Sequence, residues 1–327
     1  MRHLRPDPYL LLLLVTVGVA SLLPARGAAA TIAGHAVTVA IGLLFFLYGA
    51  RLAPRAALAG LRHWRLHGTV LAATFVLFPL LGLAAQLLSP SILSPSLAIG
   101  VLFLCCLPST VQSSIAFTSV ARGNVAAAVC AASFSNLVGV VGTPLLAGLL
   151  LAAHGGFSGR AVIDIGLQLL APFLLGQLLR PWIGGWTERH RRLLGAVDRG
   201  SILLIVYVAF SASMTAGIWS RLTLPDLAVL LAVDAALLAV VLLATVVVPR
   251  ALGLDHADRA TIMFCGSTKS LAAGLPMAGV LFAGQPVGLV VLPLMLFHQL
   301  QLMVCAALAP RMAPRSADAE ARPVPVG

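Results

Sequence analysis

Lys269 is the single lysine of this chain, and it lies about a dozen residues inside an apolar run read from 257 to 282. A charged side chain near mid-depth in a bilayer costs several kcal/mol unless paired or hydrated, which makes such residues functional candidates by default. The competing reading, an ammonium snorkelling to the interface, needs a place near a helix end. The surrounding stretch is Phe264-Cys265-Gly266-Ser267-Thr268-Lys269-Ser270-Leu271-Ala272-Ala273-Gly274. An earlier stretch has the same layout: Leu104-Cys105-Cys106-Leu107-Pro108-Ser109-Thr110-Val111-Gln112-Ser113-Ser114-Ile115-Ala116. Each has an apolar arm, a small or polar break, then a second apolar arm. Pro108 has no backbone N–H to donate, and Gly266 favours unwinding.

Irregular backbone at membrane depth is tolerated only where protein or a water-filled cavity covers it. N–H groups freed at the start of a half-helix face an anion or a carbonyl, and freed C=O groups face a cation. The bland alternative is a pair of kinked but ordinary helices whose Ser and Thr hydroxyls bond back to their own carbonyls. Two such helices at matching positions favour a site. The candidate solute- or ion-binding residues are Pro108, Gln112, Ser113, Ser114, Asn136, Cys265, Ser267, Thr268, Lys269 and Ser270. Asp234, the only acid clearly at depth, is expected within reach of Lys269 or of a water-filled cavity. Its alternative is a carboxyl satisfied by a neighbouring helix. Asp164 and Asp226 read as helix-start acids at the interface. Ser133, Ser135, His298, Gln299 and Gln301 need partners inside the membrane; helix–helix hydrogen bonds account for most such groups, with Asn136 and Gln299 as candidate cavity liners.

The elements that must position these residues follow from composition. Sixty per cent of residues are hydrophobic and only 9% are charged, against about 25% charged in a soluble domain. Lipid must therefore be the solvent for most of the chain. Apolar runs near 8–24, 31–50, 66–88, 96–121 and 124–152 form one half, and runs near 161–180, 199–218, 225–248, 257–282 and 286–309 the other. Ser89-Pro90-Ser91 and Gly284-Gln285-Pro286 are turn signals. The expected architecture is an all-α polytopic membrane protein, a single membrane domain over 1–327 with ten transmembrane helices. Five spans per half is odd, so the halves 8–152 and 161–309 are inverted repeats, with the broken fourth and ninth helices crossing at mid-depth. The segment 311–327 reads as a disordered cytoplasmic tail. A cleavable signal peptide is the rival for the first run, but removing it leaves nine spans and breaks the symmetry.

The net charge of +11 does not point to nucleic acid, because the arginines sit in short connections rather than on a basic stripe with aromatics. Placed on alternating sides, 17 arginines fall on one side, leaving Arg26, Arg160 and Arg221 on the other. That asymmetry puts both termini in the cytoplasm of a multi-pass protein of the plasma (inner) membrane. Paired carboxylates, metal-ligand spacings and nucleophile elbows are absent from the sequence, so an enzyme, a cofactor or a bound metal is not expected. The five cysteines read as small buried hydrophobes.

At the two broken stretches the sequence resembles the bile acid:sodium symporter family, in particular its divergent branch typified by solute carrier family ten, member seven. The resemblance extends through Asp7-Pro8-Tyr9, the block 107–146 with Ala116-Phe117-Thr118-Ser119-Val120-Ala121-Arg122-Gly123-Asn124, and 264–277. It implies an NhaA-like, bile acid symporter-like fold with a core containing the crossed helices and a panel that moves against it. It also implies departures. The family's Ser-Asn at the first crossing is Ser113-Ser114 here, and its fifth-helix hydroxyl ligands fall on Ala128 and Ala132. Its Glu and Gln-Asn pair fall on Cys265 and Lys269-Ser270. A sodium cage has lost its carboxylate and gained an ammonium, which reverses the electrostatics. A fixed or titrating lysine can stand in for a bound cation. The expectation is a carrier for a small organic anion, with Na⁺ or H⁺ as the possible coupling ions, Lys269 supplying positive charge, and the lipid bilayer as its surroundings. A cation/proton exchanger and a non-transporting membrane regulator are the alternatives.

Overall fold

The computed structural model describes residues 8–51, 63–152, 159–215, 217, 222–282 and 287–313, all helix and connection. The Asp7 of the opening motif, the Gly284-Gln285-Pro286 turn, residues 314–327 and the connection carrying Arg55 and Arg62 lie outside the described residues. In chain order the helices are α1 Pro8–Leu22, α2 Ala28–Arg51, α3 Trp64–Gln86, α4 Pro95–Cys106, α5 Gln112–Val120 and α6 Val125–Ala152. They continue as α7 Gly159–Arg189, α8 Arg191–Thr215, α9 Leu224–Ala251, α10 His256–Gly266, α11 Leu271–Leu281 and α12 Val287–Met312.

Six of these (α2, α3, α6, α8, α9 and α12) are long and apolar enough to cross a bilayer uninterrupted. Their outer faces carry Val39, Leu149 and Leu243, each at least 65% exposed, which only lipid tolerates at such density. The chain is a polytopic membrane protein. Both broken stretches are where the residues put them. α4 stops at Cys106 and α5 resumes at Gln112, while α10 stops at Gly266 and α11 resumes at Leu271. The sixth and seventh runs differ from expectation. α7 continues to Arg189 and α8 begins at Arg191, so all five arginines of the connection expected over 180–199 are helical. Hydropathy marks where lipid ends, whereas the helix itself persists into water until its hydrogen bonding fails. Likewise α12 carries Arg311 in its last turn, and His256 Nε2 meets the Met312 carbonyl at 2.6 Å.

The helices pack in two groups. α1, α2, α7 and α8 lie against one another, and the Tyr207 hydroxyl donates to the Leu23 carbonyl at 2.9 Å. α3, α9, α10 and α12 surround the broken stretches together with α6. The α2–α7 pair is the closest. A Cβ at Gly49 would run into the Phe173 carbonyl oxygen, and one at Gly176 into that of Phe46. With no hydrophobic drive between helices in lipid, such close backbone approach is what holds them together. The turn after α5 is also tied across the molecule. Arg122 takes φ 53°, and Asn124 donates from its backbone N–H to the Ala257 carbonyl at 3.1 Å. The Asn124 amide donates to Asp258 Oδ1 at 3.0 Å, linking the end of α5 to the start of α10.

Gly176→Ala is expected to lower the thermal midpoint of the detergent-purified protein by an overpacking cost of roughly 1–3 kcal/mol. Gly34→Ala on the same helix pair, where an added Cβ meets nothing within 4 Å, is expected to leave it unchanged or raise it. Equal midpoints for the two variants would refute the close crossing.

Candidate functional site

Two interrupted spans leave backbone groups that must find partners in a medium without water, so the site is best read as an accounting of those groups. The two breaks meet directly: Ser270 N–H donates to the Pro108 carbonyl at 2.9 Å, and the Ser109 and Thr268 hydroxyls are 3.1 Å apart. Ser109 N–H donates to Ser135 Oγ at 3.1 Å, and its carbonyl accepts from the Asn136 amide at 2.8 Å. Thr143 supplies the Cys106 carbonyl at 2.8 Å. The non-helical backbone of Lys269 is clamped by one side chain. Gln301 Oε1 accepts its N–H at 2.7 Å, and Gln301 Nε2 donates to its carbonyl at 2.9 Å. Ser114 donates to the Phe264 carbonyl at 3.0 Å, and its hydroxyl lies 2.8 Å from that of Thr268.

The side chain of Lys269 is fully buried. Its ammonium donates to three carbonyl oxygens: Thr74 at 2.9 Å, Cys105 at 2.8 Å and Leu107 at 2.6 Å. It also sits 4.1 Å from the centroid of the Phe78 ring, a favourable place for a desolvated cation. Two of these carbonyls end α4, where the helix dipole presents negative charge. The third is free for a reason written in α3. Residues Ala73–Leu77 form a π turn in which Phe78 N–H reaches back to the Ala73 carbonyl. In that register the donor facing the Thr74 carbonyl belongs to residue 79, and Pro79 has none. Lys269 supplies the missing hydrogen bond.

A cavity of about 680 Å³ opens beside the crossing, between the two helix groups. One wall presents the N-terminal turns of both half-helices, Thr110–Ser113 and Ser270–Ala273, with Ser133, Asn136, His298 and Gln299. The other is apolar, with Leu13, Phe45, Phe173 and Ile202, and is edged by Arg51, Asp198 and Arg199. Arg51 and Asp198 form an ion pair between α2 and α8. The positive ends of two helix dipoles therefore converge on the cavity, while both C-terminal ends are satisfied internally. Positive helix ends of this kind favour negative charge.

Of the residues singled out from the sequence, Gln112, Ser113, Asn136 and Ser270 line this cavity. Pro108, Ser114, Cys265, Ser267, Thr268 and Lys269 do not; they form the junction behind it. Pro108 packs where Gly139 leaves room, since a Cβ there would come within 2.7 Å of the proline ring. The Cys265 thiol faces the Ala128 carbonyl at 3.9 Å, and Ser267 donates to Met263 within its own helix at 2.6 Å. Asp234 is fully buried on α9, and neither carboxyl oxygen has a hydrogen-bond partner among the described residues. It makes no ion pair with Lys269 and does not line this cavity, contrary to the expectation from depth alone. Three backbone carbonyls, rather than an acid, hold the ammonium. Asp226 does start its helix, in a reciprocal capping box with Thr223; the side chain of Asp164 lies outside the described residues. Among the described residues no three His, Cys, Asp or Glu side chains cluster to hold a metal. Sequence reasoning missed Thr74, Phe78 and the Arg51–Asp198 pair. Phe78-Pro79 inside an apolar run was the available signal for the first two.

Interrupted helices joined at a buried junction beside an open polar-and-apolar cavity fit a helical membrane transporter. Residues 7–314 match the SBF-like CPA transporter family, and the chain belongs to it. It is 54% identical over 319 residues to "Uncharacterized protein PA2026" of Pseudomonas aeruginosa, covering 97% of this chain and 96% of that one. It is 51% identical over 306 residues to "Putative symporter YfeH" of Escherichia coli K12, covering 93% and 92%. Sodium/bile acid cotransporter 7 of Rattus norvegicus is 28% identical over 317 residues, covering 95% and 93%.

Lys269→Met keeps most of the side chain's bulk but leaves the Thr74, Cys105 and Leu107 carbonyls without their donor. The loss is expected to cost on the order of 3–5 kcal/mol, read as a large fall in thermal midpoint or failure to purify as a monodisperse protein. A midpoint equal to wild type would show that the ammonium does not hold the junction.

Proposed function

We propose that this chain is a secondary transporter that moves a small organic anion by alternating access of the cavity beside the crossed breaks. The observation that carries the reading is the convergence of the α5 and α11 N-termini on a cavity whose opposite wall is apolar. An acidic head group would sit against Gln112 and the N-terminal turns of α5 and α11, and an apolar body against Phe45 and Phe173. The name of one relative, a sodium/bile acid cotransporter, fits such a solute, and that of another, a putative symporter, fits coupled transport.

In this reading the ten spans form two inverted halves with both termini in the cytoplasm of the inner membrane, as the arginine asymmetry supports. α1, α2, α7 and α8 act as the panel against which the remaining helices shift. The Lys269 ammonium takes the place of a coupling cation, held by carbonyl oxygens of the kind that would ligate one. Sodium is then not required for the junction to form.

A second reading, cation/proton exchange, draws on Asp234, a carboxyl buried at depth without a hydrogen bond. Proton flux driven by a Na⁺ or K⁺ gradient, and abolished in Asp234→Asn, would establish it.

The test of the first reading is thermal stabilisation of the purified protein by carboxylate and sulfonate amphiphiles, taurocholate among them, in Na⁺ and in K⁺. Stabilisation is expected to be equal in the two cations and to fall at least about tenfold in apparent affinity for Gln112→Ala, a residue of the cavity wall, through loss of a charge-assisted hydrogen bond. Stabilisation by Na⁺ alone, without solute, would mean that a sodium site survives and that lysine has not replaced it.

A further inference from the structure

A second pocket, of about 520 Å³, lies between α2, α7 and α8, away from the crossed breaks. Its charged lining is Arg51, Arg180, Arg191 and Glu188, and its floor includes Gly184 and Gly185, which carry no side chain to fill it. Arg51 is already engaged by Asp198. Arg191 and Glu188 are 3.8 Å apart with both side chains at least 70% exposed, a pairing worth little in water. Arg180 is half-buried and makes neither a hydrogen bond nor an ion pair among the described residues. The pocket thus holds a surplus of positive charge, with one guanidinium uncommitted.

The depth of this pocket can be read from α7 itself. Leu174, Leu178, Trp182 and Trp186 recur every four residues and are 53%, 67%, 75% and 50% exposed. They form one outward stripe that is aliphatic along the span and turns to indole where Arg180 begins the polar end. Trp is enriched at membrane–water interfaces, where an apolar ring with a polar edge sits at head-group level. An exposed aliphatic stripe ending in two tryptophans therefore marks the hydrocarbon boundary, and the arginine pocket lies immediately beside it. Basic pockets between helices at that level are what bind the head groups of anionic lipids. The planar guanidinium fork matches the geometry of phosphate oxygens.

We propose that the pocket walled by Arg51, Arg180 and Arg191 binds a phosphate group, supplied by the head group of an anionic phospholipid whose acyl chains lie along the Leu174–Trp186 stripe. Because Arg51 also edges the solute cavity, a phosphate here competes with Asp198 for the same guanidinium and links the lipid to the cavity wall. The proposal rests on the membrane setting of the chain and not on which solute it carries.

The full-length protein, delipidated in detergent, would be offered an equimolar mixture of phosphatidylglycerol and phosphatidylcholine, and the lipid retained would be counted by native mass spectrometry. Wild type is expected to prefer phosphatidylglycerol by roughly tenfold or more, and Arg180→Gln/Arg191→Gln to lose most of that preference. The thermal midpoint in phosphatidylcholine checks that the double variant is folded. Arg180→Lys/Arg191→Lys, which keeps the charge, is expected to retain a preference and separates charge from disruption. Displacement of phosphatidylglycerol by millimolar inorganic phosphate would uphold the phosphate site and reassign its occupant to a soluble anion. Absence of preference in wild type, or equal preference in the Gln variant, would overturn the site.

Discussion

Three carbonyl oxygens converging on one ammonium set the geometry at the centre of this molecule. The C-terminal end of α4 and the π turn of α3 each expose carbonyls that a bilayer interior cannot solvate, and the Lys269 side chain answers them together. The arrangement works because the costs are shared. An ammonium alone in the membrane would be prohibitive, as would unpaired carbonyls, but each supplies what the other lacks. Once Lys269 is fixed, Gln301 clamps its backbone N–H and carbonyl, and Ser270 meets Pro108. The N-termini of α5 and α11 are then left facing the cavity. The polarity of the cavity wall is a by-product of how the C-terminal ends were satisfied.

This explains a division among the residues around the breaks. Ser114, Thr268, Ser109 and Ser135 bond to one another or to backbone and serve the junction. Gln112, Ser113, Asn136 and Ser270 reach the cavity. Asn136 belongs to both sets, since its amide donates to the Ser109 carbonyl while its side chain lines the wall. A change there alters the junction and the cavity at once. The Arg51–Asp198 pair on the opposite wall is independent of the junction and belongs to α2 and α8 alone.

Much of this was legible in the sequence because the signals are local. Pro108, Gly266 and a lysine at depth announce interrupted helices, and outside the α7–α8 connection the runs of apolar residues give the helix ends to within a few positions. What escaped is what depends on partners distant in the chain. Nothing near Lys269 indicates that its side chain points to residue 74 rather than to the cavity or to Asp234. Phe78-Pro79 hints at an open carbonyl but not at what fills it. Arg51 and Arg199 look like topology charge when counted by side, and only the packing of α2 against α8 turns them into a cavity edge. The α7–α8 boundary was misplaced because apolarity reports the lipid boundary and says nothing of the helical turns beyond it.

The reach of Lys269 also bears on how the protein is made. The ammonium and the Thr74 carbonyl are 195 residues apart in the chain, and the Cys105 and Leu107 carbonyls wait nearly as long. A chain emerging from the ribosome therefore inserts α3 and α4 well before their common partner has been synthesised. During that interval the nascent first half must keep its open carbonyls near the water interface or borrow donors from its surroundings. Assembly of the centre is consequently a late event that closes when α10 and α11 arrive, and a fragment ending before residue 269 lacks the group that completes the helices already in place.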